Sequence, residues 1–174
     1  MAGAGSKVLA LRSVEFARNH NVPIQVRSSF TWEPGTWVTS QEPSMEDPII
    51  SGVVTDVSEA KVTVRKVPDR PGISAALFES LAQANVNVDM IVQNTSTDGT
   101  TDISFTVPKA DMKVAESIVS KVATEIGANG ILHDDSIAKI SLVGAGMKTS
   151  PGIAAKMFRT LADSGVNIEM ISTS

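Results

Sequence analysis

Between residues 73 and 82 the apolar side chains fall at helical spacing. Ile73, Leu77 and Leu81 recur every four positions with Phe78 and Ala82 beside them, so one stripe of a helix faces a core. Asp69-Arg-Pro-Gly72 predicts the turn that opens this helix. Residues 60–67 read as a strand, with Val62, Val64 and Val67 set imperfectly against Lys61, Thr63 and Lys66. A second strand follows at 86–92. The turn Thr97-Asp98-Gly99 then joins it to a strand over 101–107. Val114, Ile118, Val122 and Ile126 mark another amphipathic helix, and 130–134 supplies a last strand. The order over 60–134 is β-α-β-β-α-β, which predicts an α+β, ferredoxin-like fold. Upstream, 7–20 reads as an amphipathic helix carrying Val8, Leu11, Val14 and Phe16. Residues 22–26 and 49–55 read as strands, and the Pro-, Gly- and Ser-rich stretch 31–48 as a linker.

The chain also repeats itself. Residues 71–94 align without a gap on 151–174, with identity at eleven of the 24 pairs, among them Pro71/Pro151, Gly72/Gly152, Phe78/Phe158, Leu81/Leu161, Asn87/Asn167 and Met90/Met170. Upstream of that block, Ala60-Lys-Val-Thr-Val matches Ala138-Lys-Ile-Ser-Leu. A strand-turn-helix-strand unit therefore occurs twice. The second copy runs to Ser174 directly after its second strand, so this module is expected to be incomplete, with 49–55 a candidate strand for it.

Composition narrows the function. Cysteine is absent, which leaves no disulfide framework, thiolate nucleophile or Cys-rich zinc site. With a net charge of −4, scattered Lys and Arg and no Tyr, nucleic acid is a poor partner. His20 and His133 have no second ligand at a metal-like spacing. No apolar run approaches a membrane span, and the N-terminus lacks the pattern of a secretory signal, so a cytoplasmic location is expected.

Two features carry candidate chemistry. The turns Asp69-Arg-Pro-Gly72 and Thr149-Ser-Pro-Gly152 each lead into a helix, where Asp or Ser can simply cap free backbone N–H groups. The same N–H groups, at the positive end of the helix dipole, can instead seat a small carboxylate such as that of a free amino acid. In Asn87-Val-Asp-Met-Ile-Val-Gln-Asn94, alternation sends Asn87, Asp89, Ile91 and Gln93 to one face. That face either meets solvent, or Asp89 pairs with an ammonium while the amides of Asn87, Gln93 and Asn94 read hydroxyl or ammonium donors. Gly144-Ala-Gly146 lacks the rest of a dinucleotide fingerprint, and Asp134-Asp135 reads as a solvated turn. The residues present no nucleophile, metal site or phosphate loop, so the chain is not expected to catalyse a reaction alone.

At Ser58-Glu-Ala-Lys-Val-Thr-Val64, Asp69-Arg-Pro-Gly72, Asn87-Val-Asp-Met-Ile-Val-Gln-Asn94, Asp98-Gly-Thr-Thr-Asp-Ile-Ser-Phe105, Lys139-Ile-Ser-Leu-Val-Gly-Ala-Gly-Met147 and Val166-Asn-Ile-Glu-Met-Ile-Ser-Thr-Ser174 the chain resembles the C-terminal regulatory region of aspartate kinases. The resemblance implies tandem ACT modules: a first over 57–136, and a second built from 49–56 with 137–174. Residues 1–30 would be the end of the kinase domain. It further implies association of two chains through these modules, with threonine, lysine or both bound between a module of one chain and a module of the other, restraining the kinase. Effector contacts would fall on Asp69, Ser74, Asn87, Val88, Asp89, Gln93 and Asn94, with Asn167 and Ile168 from the second module. Glu169 and Thr173-Ser174 stand where the first copy has Asp89 and Gln93-Asn94, so the first set is not reproduced. No cofactor is implied for this chain; ATP and magnesium would serve the parent kinase only. The rival readings are an ACT module that assembles without sensing, and an ACT regulator of another amino-acid enzyme.

Overall fold

The structure, a computed structural model, describes residues 1–6, 8–40, 50–94, 98–144 and 152–173. In chain order its regular elements are α1 (Leu11–Asn19), β1 (Ile24–Val26), β2 (Thr36–Val38), β3 (Gly52–Asp56), β4 (Glu59–Pro68), α2 (Ile73–Gln83), β5 (Ile91–Gln93), β6 (Thr100–Pro108), α3 (Met112–Ile126), β7 (Ile131–Asp134), β8 (Lys139–Val143) and α4 (Ile153–Asp163). The chain divides into two compact units, Met1–Asp56 with Ile140–Gly165, and Val57–Lys139 with Val166–Ser174.

In the latter unit the strands lie in the order β5-β6-β4-β7, with every neighbouring pair antiparallel. This is the ferredoxin-like α+β arrangement that the pattern predicts. Opposed pairs such as Val62 with Phe105 and Val64 with Ile103 present one apolar face. Against it pack Ile73, Leu77 and Leu81 of α2 and Ala115, Val119, Val122 and Ile126 of α3, all buried in one cluster. Phe78 meets Phe105 edge-on, with ring centroids 5.4 Å apart. The imperfect alternation of β4 has a physical cause. The ladder slips between Val64 and Val67, Lys66 adopts φ 48°, and its N–H donates to Asp102 Oδ1 at 2.7 Å. This bulge inserts one extra residue and returns Val67 to the core face.

Three expectations are corrected. On α3, Val114 is exposed and Ile118 only half-buried, while Ala115, Val119 and Ala123 are buried. The inner stripe runs through Ala115, Val119, Val122, Ala123 and Ile126, so of the four expected positions Val122 and Ile126 face inward. The strand expected over 86–92 is regular only at β5. Asn85 takes a left-handed φ of 56° after α2, and the Val86 N–H turns back to Leu81 O at 3.0 Å. The supposed linker 31–48 contains β2, which pairs with β1. Gly35 makes this possible, because at its φ of 68° a Cβ would stand 2.1 Å from Val26 O.

In the other unit β3 pairs with β8, and the Ser51 N–H donates to Val143 O at 2.7 Å. Its helices are thinly covered: α4 has no buried residue and α1 only Ala17. Phe30 and Trp32 are exposed.

Truncation at the α2–sheet contact should be costly. Leu81→Ala, at a fully buried position, is expected to destabilise the βαββαβ unit by about 2–5 kcal/mol, read by urea unfolding.

Candidate functional site

The site is built where α2 leaves the sheet. Gly72 is the N-cap, in the left-handed region at φ 92°, and no side chain caps the helix. Asp69 does not take the capping role that the turn allowed. The Asp69 N–H donates to Gly99 O at 2.9 Å, and the residue is exposed just after β4. Ser74, in the first helical turn, donates to Gln93 Oε1 at 3.2 Å and so joins the mouth of α2 to β5. The next residue, Asn94, accepts a hydrogen bond from Thr101 Oγ1 through its carbonyl.

Along 87–93 burial alternates as expected. Asn87, Asp89, Ile91 and Gln93 are exposed, and Val88, Met90 and Val92 are half-buried, with Val88 packed on the core. The Asp89 N–H donates to Thr106 O at 3.1 Å, and the Met90 N–H to Thr106 Oγ1 at 3.2 Å. These bonds hold the strip beside β6 where regular pairing has ended. The structure thus gathers Asp69, Ser74, Gln93 and Asn94 around one end of the unit. Asp89 lies four residues back from Gln93, about 13 Å along an extended chain.

Asp89 already has a cationic partner, because Lys139 Nζ donates to Asp89 Oδ2. Asn167 Nδ2 donates to Glu169 Oε1 at 3.3 Å, and Glu169 Oε2 pairs with Lys61 at 2.7 Å; Ile168 between them is half-buried. Lys61 was visible in the sequence only as part of a strand, as was Lys139. Their equivalence in the internal repeat was the available signal. The Lys61 hydrogen bond and its charge hold the Glu169 carboxyl below the ordinary glutamate value, with a smaller contribution from Asn167 and opposition from burial and Asp134.

The remaining motifs stay apart from this cluster. Asp134 accepts from the Ser136 N–H and hydroxyl at 2.8 and 2.6 Å, which makes a local turn and lowers its carboxyl. His20 stacks near Phe16, and His133 lies 3.5 Å from Glu116. Among the described residues no group of three His, Cys, Asp or Glu could hold a metal, and no helix is long and apolar enough to cross a membrane. Residues 149–151 of the second turn, and Ala145 and Gly146 of the glycine pair, lie outside the described residues. Gly152 repeats the left-handed, uncapped start at α4.

A ferredoxin-like βαββαβ unit whose strand-turn-helix-strand sequence occurs twice in the chain defines a duplicated α+β module. An ACT domain family model matches residues 61–122 and 140–174. The chain is 50% identical over 175 residues to an aspartate kinase of Pseudomonas fluorescens and 48% identical over 178 residues to an aspartokinase of Corynebacterium efficiens. Both matches cover all of this chain but 42% of the relative, so the chain spans less than half the length of either. Among solved structures, the regulatory subunit of aspartate kinase from Thermus thermophilus in its ligand-free form is 38% identical with a TM-score of 0.68, over 73% of this chain and 83% of that one. A chain from a crystal structure of aspartokinase alpha and beta subunits is 49% identical with a TM-score of 0.66, over 72% and 82%. The chain belongs to the ACT-domain family, as a regulatory portion of the aspartate kinase type.

The Lys61–Glu169 pair gives a pH prediction. A carboxyl whose folded pKa is depressed contributes stability above its unfolded pKa and loses it as pH falls through the folded value. The Glu169 side-chain carboxyl is therefore expected to titrate below an unpaired glutamate in carbon-detected NMR, and Lys61→Met should return it towards the ordinary value.

Proposed function

We propose that this chain is the amino-acid-sensing part of an aspartate kinase, in which bound threonine, lysine or both restrain ATP-dependent phosphorylation of the aspartate side chain. The observation that carries the reading is the Ser74–Gln93 hydrogen bond, which ties an uncapped helix start to a polar strand face. The N–H groups of the first turn of α2 receive the ligand carboxylate, aided by the helix dipole. Asp69, exposed at the same mouth, takes the ammonium more directly than Asp89, whose carboxylate Lys139 engages. Gln93 and Asn94 read the ligand side chain. Asn87, Val88 and Asp89 continue the wall, and Asn167 and Ile168 of a second chain close it, so that the sensing form is a homodimer.

In this reading the chain supplies no catalytic group. ATP and magnesium belong to the kinase portion, with which this chain acts in the cytoplasm. Binding biases one dimer arrangement, and a coupling of about 1–3 kcal/mol is enough to restrain the attached kinase.

The Lys139–Asp89 pair favours a second reading, in which the module assembles the enzyme without sensing. Isothermal calorimetry separates the two. Heat is expected from L-threonine, L-lysine or their mixture; Asp69→Ala should weaken binding by about tenfold or more, the worth of a charge-assisted hydrogen bond, and Ser74→Ala by about threefold, the worth of the neutral bond to Gln93. No heat from any of the three would exclude sensing, and a dimer by light scattering that gives no heat would favour the assembly reading.

A further inference from the structure

In the internal repeat Lys61 is the counterpart of Lys139, and Asp89 the counterpart of Glu169. The structure does not pair them within a copy. Lys139 donates to Asp89, and Lys61 to Glu169 at 2.7 Å, so each copy's lysine serves the other copy's carboxylate. Both lysines are withdrawn from solvent, with side-chain exposures of 18% for Lys61 and 13% for Lys139, whereas Glu169 and Asp89 keep 52% and 54%. A lysine whose side chain is so largely covered has few directions left for its ammonium and gains more from a fixed counter-charge than a half-exposed carboxylate, which retains water as a partner. The larger gain therefore lies with the lysine in both pairs.

Their places along the chain add a second observation. Lys139 is the last residue of this unit before the chain leaves it at Ile140, and Glu169 stands just after the return at Val166. Residues 166–173 form neither helix nor strand, so no regular backbone ladder holds them. Lys61 ties the segment to β4 by taking one oxygen of Glu169, while Asn167 of the same segment orients that carboxylate through its other oxygen at 3.3 Å, and Ile168 and Met170 are half-buried beside it.

We propose that the two crossed ion pairs are a clasp by which the repeats exchange lysines, fixing both the exit at Lys139 and the returning segment 166–173 on the first copy's sheet. Lys61 and Lys139 are positioning residues in this scheme. Pairing within each copy, Lys61 with Asp89 and Lys139 with Glu169, would balance the same charges but hold 166–173 in another place. The crossing thus selects one arrangement of two near-identical strips. The clasp does not depend on amino-acid sensing.

The test is backbone 15N relaxation on the full chain, comparing a crossed charge swap with a within-copy swap. Order parameters over 166–172 are expected near the rigid value of about 0.85 in the parent and below about 0.6 in Lys61→Glu. The double variant Lys61→Glu with Glu169→Lys should restore them. Lys61→Glu with Asp89→Lys should not. Hydrogen-exchange protection of Val62, Val64, Ile103 and Phe105 reports the intact sheet in each variant; should Lys61→Glu unfold it, Lys61→Met removes the charge at similar length and is read in the same way. Unchanged order parameters in the single variant, or rescue by the within-copy swap alone, overturns the proposal.

Discussion

The burial of two helical stripes against one face of a four-stranded sheet is the constraint on which the rest of this unit depends. Val62, Val64 and Val67 from β4, and Ile103, Phe105 and Val107 from β6, form a floor that Leu77, Leu81 and Val119 cover. Hydrophobic burial supplies the drive, and Ala115 and Ala123 of α3 are buried in the same cluster. Because the floor holds α2 in place, the mouth of the helix is held too. Ser74 then meets Gln93 without any capping side chain at Gly72.

The same stripe behaves differently in its second occurrence. Ile73, Leu77 and Leu81 are buried, whereas their counterparts Ile153, Met157 and Leu161 are only half-buried. An amphipathic pattern states which face seeks a core. It does not supply the surface that covers it. In the first copy β6 and α3 provide that surface, and β8 of the second pairs with β3 in a two-stranded sheet.

The polar chemistry is set by this framework rather than by local preference. Asp69 precedes a helix and is a capping type, yet no side chain caps α2 and its N-cap is a left-handed glycine. Asp89 stands on an alternating strip as expected, but Lys139, fifty residues away, engages its carboxylate. Glu169 differs from Asp89 by one methylene and pairs with Lys61 in a reciprocal geometry. Such pairs follow from where the elements meet.

The sequence by itself determined the βαββαβ order, the family resemblance, the duplicated unit and the exposed face of Asn87, Asp89, Ile91 and Gln93, because side-chain periodicity and turn residues act over a few positions. Imperfect alternation in β4 was legible as well, although only the paired strand showed it to be a bulge at Lys66. Tertiary structure decided the inner stripe of α3, the pairing of β2 within a supposed linker and the choice of lysine for each acid. Those outcomes turn on which surfaces come within a few ångströms of one another, and proximity between residues far apart in the chain is a property of the packed whole.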